Sequence, residues 1–279
     1  MKKTIGRVSL HLLLLLFAFA MIYPILWLVF ASFKDNQEIF GSINLLPKSY
    51  SLGPFIKGWS ASAQVPFSRF YWNSIRLVAT VVSFTLISSG LVGYGFARFS
   101  FPGRKIFFTL MLSSLMIPAT VLVLPRFILF RRIGWIDTYL PFTIPALMAN
   151  HSFFIYMFVQ FFRGIPREYD ESAFLDGCGS LSIYLKIILP LSKPAFASAA
   201  IFQFIWSWND FFGPLIYLNK VRNFTVSLGL KMTLDVNSSF VNWNQTIAMA
   251  VLALIPNMLI YFIAQKQFVE GVTSTGLKG

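Results

Sequence analysis

The sequence predicts an all-α membrane protein with six transmembrane helices, and three observations carry that expectation. Apolar residues make up 56% of the 279-residue chain and charged residues only 12%, about half the roughly 25% of an ordinary soluble domain. Apolar windows long enough to cross a bilayer recur along the chain. Between two of them, at 168–194, lies a polar island reading EYDESAFLDGCGSLSIYLKIILPLSKP.

Crossing about 30 Å of hydrocarbon takes roughly 20 apolar residues, and windows of that kind fall at 9–33, 73–99, 105–130, 139–163, 194–218 and 246–265. The first follows Lys2, Lys3 and Arg7 and contains Ala18-Phe19-Ala20, a small-residue pattern of the sort cleaved after signal peptides. The apolar run continues to Phe33, too long for a secretory core, so it is read as a retained span. Residues 1–8 then form a short N-terminus and 34–72 a loop on the other side of the membrane. A five-helix core occupies 73–268, with the island within a loop at 164–193, and 269–279 is a C-terminal tail.

Pro118, Pro125, Pro141 and Pro145 interrupt the third and fourth windows, and Arg126, Arg131 and Arg132 crowd the end of the third. Membrane helices tolerate proline where neighbours or water satisfy the freed backbone groups, which suits either a solute pathway or plain packing. Lysine and arginine are divided almost evenly between the two sides of this topology. The basic N-terminus and the Arg98, Arg104, Lys105 loop favour both termini and the island in the cytoplasm. Trp72, Trp135 and Trp243 then fall near the outer ends of their spans, where interfacial indoles sit.

Net charge is +13, as expected of basic residues facing anionic lipid. No aromatic-interleaved basic patch or nucleic-acid motif accompanies it. His11 and His151 both lie in apolar runs, and Cys178 is the single cysteine, so neither a metal site nor a disulfide can be assembled. Paired catalytic groups and a Gly-rich Lys-Ser/Thr phosphate loop are also missing, so any ATP must be bound elsewhere.

Four of the ten acidic residues, Glu168, Asp170, Glu171 and Asp176, stand within nine positions of one another. The island reads as a short helix from Glu168 to about Asp176, broken at Gly177 and Gly179. A second amphipathic run follows and stops at Pro190. On residues alone this is either a docking surface or a solvated loop whose charges keep it out of lipid. Asp210 is the acid placed deepest in a span, where a carboxylate costs on the order of 3 kcal/mol. With Trp206, Trp208 and Asn209, and with Asn150 and Gln203, it offers stacking faces and hydrogen-bond groups that suit a sugar. The same groups equally suit an interhelical hydrogen bond.

The island resembles the EAA loop of binding-protein-dependent ABC importer permeases. Glu171-Ser172-Ala173 stands for the Glu-Ala-Ala triplet, with three residues to Gly177 and nine more to Ile187-Ile188-Leu189-Pro190. Ser172 and Cys178 depart from the usual residues, both by small changes. FKDNQEIF (33–40), FIWSWNDFFGPLIYLN (204–219) and QKQFVEGVTSTGLKG (265–279) are similar to the carbohydrate-uptake class 1 branch, whose second permease in maltose transporters they resemble.

That resemblance implies a type I importer permease fold and a cytoplasmic coupling helix that seats in a groove on a soluble ATPase. Glu171, Ser172, Ala173, Asp176, Gly177, Leu189 and Pro190 would form the coupling surface. Ala173 and Gly177 would allow close approach, and Glu171 and Asp176 would offer carboxylates. Gly276, Leu277, Lys278 and Gly279 would reach the ATPase dimer. The implied partners are a second, homologous permease, two ATPases that bind ATP and magnesium, an extracytoplasmic solute-binding protein and a sugar, in a bacterial inner membrane. A permease for a non-sugar solute and an ion-coupled carrier are the alternatives. The carrier would need several ionisable groups at midplane or an inverted repeat.

Overall fold

The computed structural model describes residues 2–60, 65–235 and 242–276, with side chains at 9–60, 65–234 and 242–265. Helix α1 spans Lys2–Ala31, and two short helices, α2 (Asn36–Gly41) and α3 (Gly53–Ser60), occupy part of the expected 34–72 loop. Helix α4 covers Phe67–Arg98 and starts six residues earlier than the sequence window. Then come α5 (Arg104–Ser114), a 3₁₀ turn (Ala119–Leu122), α6 (Val123–Arg132), α7 (Leu140–Leu147) and α8 (Ser152–Arg163). The island supplies α9 (Glu168–Leu175), α10 (Ser180–Ile183), a π turn (Tyr184–Ile188) and α11 (Leu189–Leu191). Helices α12 (Lys193–Asn209) and α13 (Phe212–Tyr217), a 3₁₀ turn (Val221–Asn223), α14 (Val226–Asp235) and α15 (Trp243–Gly276) complete the chain. Helical backbone therefore enters the expected tail as far as Gly276; Leu277, Lys278 and Gly279 lie outside the described residues.

Among the described residues, Ser9–Ala31, Phe67–Arg98, Leu140–Arg163 and Trp243–Gln265 are each long and apolar enough to cross a membrane. Two bent pairs raise the number to as many as six where each pair makes one span: α5 with the segment Ala119–Arg132, bent by 97°, and Ser180–Leu191 with α12, bent by 78°. The first bend falls at the turn closed by Pro118, which has no N–H to continue a helix. The second differs from the sequence expectation, because Pro190 does not stop its helix. Across the preceding π turn the Leu189 N–H donates to Tyr184 O, five residues back. This wider ladder carries the chain through the proline, and the break comes two residues later, at Ser192. The fifth span also ends at Asn209, short of the expected 218, with α13 as a separate piece.

Lipid tails are as apolar as leucine, so these helices gain little from hiding apolar surface and must associate by close packing. Helix α4 does so through small residues. A Cβ on Gly93 would sit 2.8 Å from Phe158 Cβ on α8, and one on Gly90 would meet the Tyr184 hydroxyl at 2.7 Å. Ala195 and Ala199 give α12 a similar face, and both are buried with Phe154, Phe158, Phe162, Tyr184 and Ile188 in one core cluster. A second cluster, around Phe67, Phe70, Val78, Trp208 and Met249, packs the other end of α4 against α12, α14 and α15. Leu77, Val81 and Ala146 form a third between α4 and α7.

Candidate functional site

Helix α9 stands at one end of the bundle. Glu168, Asp170 and Glu171 occupy its first turn, where unpaired backbone N–H groups favour negative charge. Its end is a Schellman motif: Cys178 N–H donates to Ala173 O at 2.9 Å and Gly177 N–H to Phe174 O at 3.0 Å. Gly177 takes φ +79° to close it, a conformation glycine adopts without the usual side-chain cost. Gly179, by contrast, is extended. Ala173 faces the core, while Glu171, Ser172, Asp176 and Gly177 are exposed. Phe174 and Leu175 are 71% and 87% exposed, an apolar tip outside the bundle. Leu189 is half-buried and Pro190 exposed, beyond the π turn.

A clamp from α4 holds this helix. Arg98 Nε lies 2.9 Å from Asp170 Oδ2, with the side chains 6% and 20% exposed. The Nε–H is not aligned on that oxygen, so the link is a charge contact rather than a directed hydrogen bond. Arg98 Nη2 donates to Ile165 O at 3.0 Å, and one turn earlier the Tyr94 hydroxyl donates to Ser180 O at 3.2 Å. A depression of about 490 Å³ opens beside them, walled by Tyr94, Phe99, Phe174 and Leu175.

A second concavity, of about 440 Å³, lies among α4, α6, α7, α12 and α13. Asn150, Gln203, Trp206 and Asp210 line it. Gln203, Trp206 and Ser207 share one face of α12 at positions i, i+3 and i+4, and Asp210 follows just past its end. Trp206 is 48% exposed and its ring lies 5.2 Å from both Phe153 and Phe154. Gln203 is buried; its Nε2 donates to Ser207 Oγ at 2.7 Å and its Oε1 has no hydrogen-bond partner. Asp210 follows the last turn of α12, where Oδ1 accepts the Gly213 N–H at 3.0 Å.

Trp208 and Asn209 point the other way, toward α15. Trp208 Nε1 donates to Ala253 O at 3.0 Å, and its ring stacks on Phe204. Asn209 Oδ1 accepts Asn257 Nδ2 at 2.9 Å. Arg126 and His151 also line the cavity, though the sequence reading gave them no solute role. The break in α5–α6 brings in the arginine. The interruption between α7 and α8, where Ala149 takes φ +56°, brings in the histidine.

The sequence reading also passed over Asp137. Its Oδ1 accepts the backbone N–H groups of Lys220 at 2.8 Å and Asn219 at 3.1 Å, and Oδ2 lies 2.9 Å from Lys220 Nζ. Burial pushes this carboxyl up, but hydrogen bonds from the side chain and backbone of Lys220, from Asn219 and from Asn223 outweigh it. They hold the group at about 2, below its usual 3.8. The clasp joins the turn before α7 to the turn after α13 and so fixes one end of the cavity wall. Among the described residues no three His, Cys, Asp or Glu side chains gather as a metal site would need.

Comparison with known proteins places this architecture. Residues 89–274 match the family model described as binding-protein-dependent transport system inner membrane component. The chain is 33% identical over 265 residues to the arabinooligosaccharides transport system permease protein AraQ of Halalkalibacterium halodurans, covering 94% of this chain and 93% of that protein. It is 31% identical over 270 residues to the sn-glycerol-3-phosphate transport system permease protein UgpE of Brucella melitensis, covering 95% of each. Its fold superposes with a TM-score of 0.86 on a chain from the crystal structure of a bacterial ABC transporter involved in the import of the acidic polysaccharide alginate. That match has 23% identity and covers 95% of this chain and 97% of the other. By family model, relatives and fold, this multi-pass membrane chain belongs to the binding-protein-dependent transport system inner membrane components.

Proposed function

We propose that this chain is one permease subunit of an ATP-driven importer for a sugar or oligosaccharide. A solute-binding protein would deliver the solute to the outer face, and a second, homologous permease would complete the pathway. Two ATPase subunits would bind ATP and magnesium and do the hydrolysis, leaving this chain a transport subunit without a cofactor of its own. The N-terminus, the C-terminus and α9 would lie in the cytoplasm.

One observation carries the reading: α9 is presented at the end of the bundle with Glu171, Phe174, Leu175 and Asp176 exposed. An apolar tip flanked by carboxylates fits a groove on a soluble partner better than it fits water or lipid. In that surface Glu171, Ser172, Asp176 and Gly177 would face the ATPase, and Ala173 would fix the helix to the bundle. Leu189 and Pro190 would support the helix from behind, and Gly276 to Gly279 would reach the ATPase dimer.

The polar lining of the α12 cavity, with an exposed indole, suits a polyhydroxylated solute. Asn150, Gln203, Trp206 and Asp210 are its candidate contacts, while Trp208 and Asn209 would act from the α15 side by holding α12 in place. A charged solute would find Arg126 in the same cavity.

The test is a pull-down from gently solubilised membranes, comparing the native chain with Glu171→Ala and identifying co-purifying chains by mass. Recovery of a second permease and a P-loop ATPase, with the ATPase lost in the variant, is the expected outcome. A chain that came out alone and moved solute without ATP would overturn the proposal in favour of a secondary carrier.

A further inference from the structure

We infer that Arg98 is a positioning residue for coupling: through Asp170 and Ile165 it ties α9 to α4, so that movement of α9 enters the bundle through α4. This rests on the proposed reading of α9 as the ATPase-docking helix.

The argument begins with what can transmit a displacement. Helix α9 is only eight residues long and turns away from its sequence neighbours at both ends. The route through α10 passes a π turn and then a 78° bend at Ser192 before it reaches α12. The route through α8 runs twelve residues to the interruption at 148–151, where it meets the edge of the cavity at Asn150 and His151 and supplies no further part of its wall. Broken helices absorb movement by changing a few backbone angles.

Helix α4 is different. Its 32 residues contain no proline and no break, giving a rod of about 48 Å at 1.5 Å per residue. Arg98 is its last residue, and Leu77 and Val81 farther up the same rod line the α12 cavity. A clamp at Arg98 therefore acts on the cavity wall roughly 25 Å away through one continuous element.

Three tethers make the clamp. Arg98 meets Asp170 on α9 itself and the Ile165 carbonyl before it, while Tyr94 bonds to the Ser180 carbonyl after it. They grip the segment on both sides and in its first turn. The Arg98 side chain is 6% exposed, so its link to Asp170 is shielded from the salt that weakens surface pairs. The packing of Gly90 and Gly93 against Tyr184 and Phe158 leaves α4 little room to slip past its neighbours.

The experiment uses the complete importer reconstituted in vesicles and reads solute moved per ATP hydrolysed. Arg98→Met should leave the ATPase attached while this ratio falls by roughly ten-fold, within the span reported for mutations along coupling networks. The double exchange Arg98→Asp with Asp170→Arg should regain part of it. A contact that served only stability would lower transport and hydrolysis together and leave the ratio unchanged. An unchanged ratio in an assembled Arg98→Met complex overturns the inference.

Should Arg98→Met fail to assemble, Asp170→Asn, a change of charge without change of size, carries the same readout and the same overturning result. If neither single variant assembles, the exchange decides. Restored assembly and coupled transport support the relay, whereas an exchange that also fails to assemble assigns the pair to folding alone and overturns it. Glu171→Ala and Leu175→Ala run alongside. If both keep the ATPase bound at wild-type yield, the docking reading of α9 fails by itself, whatever Arg98 does.

Discussion

Asp137 and Lys220, eighty-three positions apart in the chain, are joined twice: by a side-chain ion pair at 2.9 Å and by the Lys220 backbone N–H on the same carboxylate. The two joins are unequal. The Lys220 side chain is 63% exposed, and an exposed ammonium is screened by water and salt. The carboxylate serves several donors on a residue held at φ +63°, a backbone that asparagine adopts at lower cost than alanine. Asp137→Ala should therefore cost about 1–3 kcal/mol, Asp137→Asn less than half of that, and Lys220→Met under about 1 kcal/mol. Thermal unfolding in detergent at moderate and high salt checks the order.

The same clasp sets an acid dependence. Its carboxyl titrates at about 2 when folded, against 3.8 unperturbed. The stabilisation is thus complete above the unperturbed value and lost as pH falls from about 4 toward about 2. Melting temperature should fall through that window, and the fall should be shallower in Asp137→Asn. Equal slopes in the two proteins would show that the clasp contributes nothing to acid sensitivity.

Much of this architecture was legible in the sequence because bilayer thickness dictates length and composition. The apolar windows located four helices long enough to cross and the two bent pairs, and a cluster of acids followed by Gly177 located α9 with its end. Pro118 marked the bend in the third window, but the other interruptions escaped. The π turn that carries helix through Pro190 leaves no mark in residue pattern, and Ala149 at φ +56° is not a residue from which such a backbone is read. The Ala149 break brings His151 into the cavity, and the bend at Pro118 brings Arg126. Trp206 and Trp208 were grouped by proximity in sequence, yet residues two apart on a helix face different ways. Asp137 was passed over because its partners lie beyond two further spans.

Gly93 and Gly95 on α4 make a controlled pair. A Cβ at Gly93 meets Phe158 Cβ at 2.8 Å, near the α8 backbone, whereas one at Gly95 meets nothing within 4 Å. Gly93→Ala should destabilise by about 1–3 kcal/mol through overpacking. Gly95→Ala should be neutral or stabilising by up to about 1 kcal/mol, because alanine is the better helix former. Thermal melts of the two variants decide, and equal losses would show that α4 and α8 are less closely packed than described.

Gly177 tests the coupling surface by conformation rather than charge. No atom lies within 4 Å of a Cβ built there, so crowding within the chain is excluded and only the φ of +79° remains. Asparagine, which enters the left-handed region readily, should retain ATPase association and transport. Valine should loosen the end of α9 at a cost of about 1–2 kcal/mol and reduce ATPase recovery in a pull-down, with insertion unaffected. If asparagine and valine behave alike, the motif does not shape the docking surface.

Trp206 and Trp208 separate a solute role from a structural one within a single turn of α12. Trp206 projects into the cavity at 48% exposure, while Trp208 is 4% exposed, stacked on Phe204 and bonded to Ala253 O. Removing Trp208 leaves a hole in a packed cluster and deletes its hydrogen bond to Ala253 O, so Trp208→Ala should lower stability by about 3–5 kcal/mol. Trp208→Phe should recover most of that. Trp206→Ala removes a face open to the cavity and should leave melting nearly unchanged. If the indole stacks on a sugar ring during passage, uptake per assembled complex should fall by about ten-fold, the equivalent of roughly 1.4 kcal/mol of lost interaction. Trp206→Phe should retain part of the activity, because an aromatic face remains without the indole N–H. Loss of stability in Trp206→Ala with uptake per complex unchanged would assign this residue to packing against Phe153 and Phe154, and would leave Asn150, Gln203 and Asp210 to carry any contact with solute on this side of the pathway.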